Sequence, residues 1–162
     1  PVSKSFNNQT YLYQQVWILL SSLIFVLLPI IIRMIFYQWK MPQIWITNAH
    51  EAVPGLILNP YNIEGAFTIG GTWFGMLSGY VWFNHNFGRF NVSGKIMKRT
   101  IRYLLGVIGV LVIWAGLKAA FPEGETSLAL ILRYIRYMFS GYWVSAFAPY
   151  IFLKLKLADK SK

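Results

Sequence analysis

The sequence predicts an all-α integral membrane protein: a bundle of four transmembrane helices, with both termini cytoplasmic and an interfacial segment between the first two helices. Three observations predict this fold class: four long apolar segments, basic connections on one side only, and a strongly apolar composition. The chain is 56% hydrophobic and 12% charged, with a mean hydropathy of +0.47. Because so few charged residues are typical of a membrane chain and not of a soluble domain, composition supports the same fold class.

Four apolar segments approach or exceed the length that a bilayer requires. The first, Val16–Ile32, carries no charge. We place the others at about Gly65–Phe83, Tyr103–Phe121 and Leu128–Leu153. The connection Met41–Ile63 is too long for an ordinary structureless loop and is rich in turn-forming residues, so we predict the interfacial segment there. The resulting organisation is a polar lead-in (residues 1–15), a single four-helix transmembrane domain (16–157) and a basic tail (158–162).

Basic residues are distributed unequally between the two faces that alternating spans create. One face collects ten of the Lys and Arg residues: Lys4, Arg89, Lys95, Lys98, Arg99, Arg102, Lys154, Lys156, Lys160 and Lys162. The other face holds four of the five acidic residues: Glu51, Glu64, Glu123 and Glu125. Because Lys and Arg accumulate on the cytoplasmic side of membrane proteins, both termini are predicted to be cytoplasmic. We expect a multi-pass protein of a bacterial cytoplasmic membrane.

The basic connection before the third span is predicted to contact lipid. Its cations are interleaved with Phe87, Phe90 and Val92, a mixture typical of segments that lie on anionic head groups. The predicted contacts are Arg89, Lys95, Lys98, Arg99 and Arg102. Membrane lipids are therefore expected partners, and a bound lipid is expected. The net charge of +10 does not indicate nucleic acid, because the basic residues flank apolar spans and form no separate domain.

Gly71, Gly75 and Gly79 in the second predicted span are spaced four residues apart. This spacing places them on one face of a helix, where a neighbouring backbone can approach closely. The pattern predicts tight helix packing. The neighbour is either another helix of this chain or a helix of another membrane protein subunit.

Three cations lie near the acidic face: Lys118, Arg133 and Arg136. Ionisable residues close to a membrane boundary are costly, so they usually pair or serve a function. One interpretation is a site for an anion or a lipid head group. The other is ion pairing with Glu64, Glu123 or Glu125, which would hold helix ends together.

The sequence contains no recognisable catalytic constellation. Cysteine is absent, which excludes disulfides, thiolate catalysis and zinc–cysteine sites. His50 and His85 have no companion ligands at short helical spacing, so no metal and no cofactor is predicted. Ligation of a haem or bacteriochlorophyll by a single histidine stays open. We interpret both histidines as interfacial polar residues.

The second half of the chain resembles the carboxy-terminal membrane extension of some type-2 phosphatidic acid phosphatase family proteins. The resemblance covers roughly Glu64–Leu157. The residues that carry it are GTWFGMLSG (71–79), KRTIRYLLGVIGVLVIW (98–114) with Gly116-Leu117-Lys118, and LRYIRYMFSGYWVSAFAP (132–149) with Tyr150-Ile151-Phe152. The catalytic motifs of that family, Lys-x6-Arg-Pro, Pro-Ser-Gly-His and Ser-Arg-x5-His-x3-Asp, do not occur in this chain. The resemblance therefore implies either the non-catalytic part of a longer phosphatase or a stand-alone relative without catalytic residues of its own.

The predicted spans, the missing catalytic motifs and the family resemblance together lead to three functional hypotheses. The first is a non-catalytic membrane module related to these lipid phosphatases, with a packing or scaffolding role. The second is a small accessory subunit of a larger membrane complex, respiratory or photosynthetic. The third is a lipid- or anion-binding transporter element that uses Arg133 and Arg136. Because the sequence begins with Pro1 and not with Met, the first hypothesis expects a catalytic core upstream, and phosphatase activity is expected only in that case.

Overall fold

The computed structural model describes residue 6, residues 9–55 and residues 58–160. Its helices, in chain order, are α1 (Tyr11–Ile35), α2 (Gln43–Ala52), α3 (Glu64–Phe87), α4 (Ile96–Ala120), α5 (Ser127–Tyr142), a π-helical turn (Trp143–Phe147) and α6 (Ala148–Lys154). The π turn joins α5 to α6 without a break, and we call this continuous segment the rod. Two short antiparallel strands, β1 (Phe90–Asn91) and β2 (Asp159–Lys160), complete the described structure.

The all-α prediction is confirmed, and a long helix occupies each of the four predicted positions. The boundaries differ most at α4, which begins at Ile96 and not near Tyr103. Hydropathy identifies only the apolar part of a helix, whereas the helix itself begins just after Gly94, which has a φ of 140°. Lys98, Arg99 and Arg102 therefore lie on the first turns of α4, not in a loop. Lys4 and Lys162 lie outside the described residues.

Two helices are long and apolar enough to cross a membrane by length and composition: α1, with a mean hydropathy of 2.6, and α4, with 1.9. Helix α3 has 24 residues, but several Gly residues reduce its hydropathy. Helix α5 has 16 residues and carries Arg133 and Arg136. Among the described helices, length and composition thus support membrane helices at two of the four predicted positions.

The interior of the bundle contains many small and polar residues beside a few larger apolar ones such as Phe83, whereas its exterior carries many large apolar side chains. Helix α1 buries Gln14, Ile18, Ser22 and Val26 on one stripe. The opposite stripe exposes Leu20, Ile24, Leu27, Leu28 and Ile31. A soluble protein would hide these aliphatic side chains, whereas in a bilayer they contact lipid tails and the small residues allow helices to approach.

Helix α3 lies at the centre, between α1 and the rod. It is antiparallel to α1, because Ser22 contacts Gly70 whereas the earlier Gln15 contacts the later Ser78. It is parallel to the rod, because Gly71 lies against Tyr134 and Gly75 lies against Met138. Helix α4 forms the antiparallel return between these two parallel neighbours. The chain thus alternates direction through its four long helical segments.

A hydrogen-bond junction joins the three inner segments. Ser22 is fully buried, and its hydroxyl donates to the carbonyl oxygen of Gly70 over 2.8 Å. The Tyr134 hydroxyl lies 2.7 Å from the hydroxyl oxygen of Ser22 and donates to it, because the one hydroxyl proton of Ser22 is already donated to Gly70. One serine of α1 therefore contacts both α3 and α5, which fixes the rotation of α1 about its axis.

The π turn of the rod has a local cause in Pro149. Proline cannot donate a backbone hydrogen bond, and its ring clashes with the carbonyl of the residue four positions earlier. That residue, Ser145, lies inside the π turn, where the wider helix accommodates the ring. The turn also directs the Trp143 indole toward α4, where its N–H donates to the carbonyl oxygen of Gly106 over 3.1 Å.

The connection between α1 and α3 contains helix α2, which buries no residue. The Tyr61 hydroxyl anchors this connection through the carbonyl oxygens of Trp39 and Phe36, the latter 2.8 Å away. Trp39 and Trp45 pack against each other with ring centroids 6.1 Å apart. An exposed helix with neighbouring tryptophans is typical of a segment at a membrane surface, which stays the prediction for α2.

Candidate functional site

Three ion pairs among the described residues lie at one end of the bundle, which we call the ion-pair end. Arg133 of α5 lies 2.6 Å from Glu64 at the start of α3. Lys118 of α4 lies 3.2 Å from Glu123. Arg33 of α1 lies 3.0 Å from Glu125, which also accepts a hydrogen bond from the Asn59 amide. These pairs connect the ends of the four long helical segments.

The pairs differ in how well water or lipid head groups can reach them. The side chains of Arg133 and Glu64 are 19% and 24% exposed, against 46% and 63% for Lys118 and Glu123. Exposed pairs contribute little to stability, whereas a partly buried pair leaves a costly lone charge when one partner is removed. The Arg133–Glu64 pair is therefore the one that matters most for the fold.

Three cations at this end are predicted to hold an anion. Their surroundings in the structure differ. Lys118 and Arg133 each have a carboxylate partner, as the ion-pair interpretation expects. Arg136 is 6% exposed, and its guanidinium carbon lies 5.2 Å from the centre of the Tyr137 ring. Its Nε is buried with no hydrogen-bond partner among the described residues.

The predicted packing glycines of α3 face the rod. A Cβ atom at Gly71 would overlap the carbonyl oxygen of Tyr134, and one at Gly75 would overlap that of Met138. A Cβ at Gly79 would overlap the hydroxyl of Ser145 in the π turn. Across the contact, a Cβ at Gly141 would lie 2.8 Å from the carbonyl oxygen of Thr72. The backbones of α3 and the rod thus lie at a separation that only glycine permits at these positions.

The opposite end of the bundle, which we call the basic end, is closed by the β1–β2 ribbon. Phe90 pairs with Lys160 and Asn91 pairs with Asp159, so the end of the described chain returns to the connection between α3 and α4. The Lys98 ammonium donates to the carbonyl oxygen of Lys156 over 2.9 Å and reinforces this contact. The ribbon brings residues distant in sequence to the mouth of a groove between α4 and the rod.

The five predicted lipid-contact residues all lie at the basic end. Four of them are exposed: Arg89, Lys95, Lys98 and Arg99. Arg102 differs, since it is 7% exposed and donates to the carbonyl oxygen of Val92 over 2.5 Å. It lines the groove together with Arg99. The sequence pattern predicted this cluster of basic residues. It did not predict that Arg102 is buried, because that burial depends on the β1–β2 ribbon.

The two histidines lie on exposed positions at different parts of the chain. His50 is in the last turn of α2, and His85 is near the end of α3. The His85 ring packs 5.2 Å from that of Tyr11. Within residues 6, 9–55 and 58–160, no group of three or more His, Cys, Asp or Glu side chains is arranged to hold a metal ion.

One known protein family matches more than half of the chain. The model of the family described as "PAP2 superfamily phosphatase, transmembrane extension" matches residues 67–160, more than half of the sequence. The chain belongs to this family. The resemblance predicted from the glycine and aromatic pattern is thereby confirmed. No curated protein and no solved structure matches the chain.

The matched region contains most elements of the bundle. It includes nearly all of α3, the whole of α4 and the rod, and both strands of the ribbon. The groove at the basic end therefore lies inside the PAP2 extension. Helix α1 lies outside the match, although its Ser22 contacts Gly70 and Tyr134 of the matched region. A chain of this family is a membrane protein.

Proposed function

We propose that the chain is a non-catalytic, four-span membrane module of the PAP2 phosphatase superfamily, with a packing or scaffolding role. The observation that carries the proposal is the close contact of α3 with the rod through glycines, inside a bundle whose exterior is aliphatic. Such a contact makes a stiff unit, since neither backbone can shift without losing it. A stiff apolar unit is suited to hold a neighbouring catalytic part in place within the bilayer.

Two geometric features support four spans. Helix α3 has 24 residues, which at about 1.5 Å per residue is long enough for a hydrocarbon core of about 30 Å. Helix α5 is too short alone, but the π turn and α6 extend the rod to Lys154. The Gly residues that reduce the hydropathy of α3 face the rod, so its composition reflects packing and not exposure to water.

The distribution of charge supports the orientation. Exposed Lys and Arg residues collect at the basic end, whereas the cations Arg33, Lys118 and Arg133 at the other end are paired with carboxylates. Lys and Arg residues hold a connection in the cytoplasm whatever acidic residues lie nearby, and ten of the 15 in the chain belong to the basic face predicted from the sequence. We therefore assign the basic end to the cytoplasm of a bacterial cell.

Cysteine accessibility tests the four spans and the orientation together. Because the chain has no cysteine, single substitutions give an unambiguous label. We expect Ser93→Cys at the basic end to react with a membrane-impermeant maleimide only in inverted vesicles. Asn48→Cys in α2 and Ala120→Cys at the end of α4 should react only in right-side-out vesicles. Labelling of Ser93→Cys and Ala120→Cys from the same side would contradict the proposal.

A phosphatase assay tests the absence of catalysis. The motifs that carry the family's chemistry do not occur in the sequence, and the cations Lys118 and Arg133 already have carboxylate partners. We expect the purified chain to release no phosphate from phosphatidic acid above the rate in buffer. Turnover that survives repurification and is lost in Arg136→Gln, but not in the control Lys95→Gln, would overturn the non-catalytic assignment.

One observation favours a second candidate, an accessory subunit of a larger membrane complex. The apolar part of α4 has no buried residue, so this helix contacts the bundle only lightly. Gly116 on α4 has open space beside it, since within the described part of the chain only the local backbone of α4 comes within 4 Å of a Cβ built there. Cross-linking from Gly116→Cys in native membranes separates the candidates: a protein adduct favours a subunit interface, and lipid adducts alone favour the module.

A further inference from the structure

The groove at the basic end combines an apolar interior with a cationic mouth. It has a volume of about 960 Å³, within the range of sites that hold small organic ligands. One wall is α4 from Arg102 to Leu111, and the other is the rod at Val144, Ala148 and Phe152. The ribbon strand β1 closes the end that carries Arg99 and Arg102.

Arg102 is the feature that points to a ligand. It is more than nine-tenths buried, and one terminal nitrogen donates to the carbonyl oxygen of Val92. The other terminal nitrogen is buried and has no hydrogen-bond partner among the described residues. A buried charged donor without a partner is costly, so the site gains free energy when an acceptor oxygen enters the groove.

The charge of the lining restricts the acceptor to an anion. Arg99 and Arg102 contribute two guanidinium groups, and none of the described residues that line the groove is acidic. Guanidinium groups donate in a planar fork that matches phosphate oxygens. Ser93 and Asn91 at the same end add further polar atoms next to the arginines.

The rest of the groove is apolar and open along its side. Apart from the nearby backbone of α4 itself, no atom of the described residues lies within 4 Å of a Cβ built on Gly106, so the wall of α4 is recessed below the arginines. Beyond Gly106 the groove is lined by Val107, Leu111 and Val144, which are 38%, 55% and 47% exposed. These side chains face the space around the bundle, which in a membrane is occupied by acyl chains.

We propose that this groove binds one anionic phospholipid from the surrounding membrane. Its phosphate contacts Arg99 and Arg102, and one acyl chain lies along α4 past Gly106 toward Leu111. The inference rests on the membrane placement in the proposed function and adds a specific lipid to it. The bound lipid fills the space between α4 and the rod, and it thereby ties α4 to the bundle.

Native mass spectrometry of the full chain in detergent tests the site. We expect the wild type to retain one phosphatidylglycerol or phosphatidic acid, and to bind phosphatidylcholine about tenfold more weakly, because its quaternary ammonium adds a positive charge near the two arginines. Arg102→Gln should weaken anionic lipid binding about tenfold through the loss of the guanidinium. Gly106→Leu should do the same by filling the acyl part, without touching either arginine.

The matched control is Lys95→Gln, which removes an exposed cation at the same end and outside the groove. It should leave binding unchanged.

Equal loss in Lys95→Gln and Arg102→Gln, or full binding in Gly106→Leu, would show that lipid binds only the charged surface and would overturn the proposal. Displacement of the lipid by inorganic phosphate at equal concentration would make the ligand a free anion and overturn it too. If Arg102→Gln does not fold, Gly106→Leu decides. Loss of lipid binding with the expected cysteine labelling refutes the groove and leaves the four-span proposal intact.

Discussion

Replacing Gly75 by leucine is expected to separate α3 from the rod and to lower the free energy of unfolding by about 3 kcal/mol, the upper end of overpacking costs. Even the first side-chain carbon would overlap the carbonyl oxygen of Met138 and lie 2.8 Å from its carbonyl carbon. The obstacle is backbone, which cannot rotate away as a flexible side chain can. Relief therefore requires the whole rod to move.

The measurement is unfolding of the detergent-solubilised protein by SDS, followed by tryptophan fluorescence. The control is Gly65→Leu in the first turn of the same helix, where none of the described atoms beyond the local helix backbone lies within 4 Å of a built Cβ. Gly65→Leu carries the same change in helix propensity and hydrophobicity, so it should unfold near the wild-type midpoint. Two variants of equal stability would contradict the tight α3–rod contact.

The second large effect is expected at the Arg133–Glu64 pair. Replacing Arg133 by glutamine leaves the Glu64 carboxylate partly buried and without its partner, and we expect a loss of about 2 kcal/mol, reduced from the cost of a fully buried pair because a fifth of the pair is exposed. Glu64→Gln should cost a similar amount. The double variant should be more stable than the two single losses predict, by a coupling energy of about 1–2 kcal/mol.

The Lys118–Glu123 pair is the natural comparison, because it lies at the same end and is largely exposed. The same cycle with glutamine there should give a coupling energy of at most about 0.5 kcal/mol. High salt should reduce the coupling of the exposed pair more than that of Arg133 with Glu64. Equal coupling in the two cycles would mean that burial does not distinguish them.

Much of the architecture is readable from local sequence. The apolar segments locate the four long helices, since a long run of apolar residues is typical of a helix in the apolar surroundings of a bilayer. The four-residue spacing of Gly71, Gly75 and Gly79 indicates a close helix contact, but spacing alone does not identify the partner. The partner is the rod, which is separated from α3 in sequence by the whole of α4.

The candidate site was predictable only in part, for physical reasons. Clustering of basic residues near the start of α4 is a sequence pattern, so the predicted set includes Arg99 and Arg102. The groove depends on long-range contacts that no local pattern encodes: the ribbon pairs Phe90 with Lys160, and Trp143 reaches Gly106 across helices. Pro149 is the one signal that could have indicated the irregular turn that directs Trp143.

The parallel arrangement of α3 and the rod has a consequence for how the protein is made. Helices α1 and α4 are apolar enough to enter a bilayer on their own, whereas α3, rich in glycine, and α5, which carries two arginines, gain much of their stability from each other. During synthesis α3 emerges well before its partner. We therefore expect α3 to stay beside the insertion machinery until the rod follows, so that α3 settles in the bilayer only when the rod has arrived.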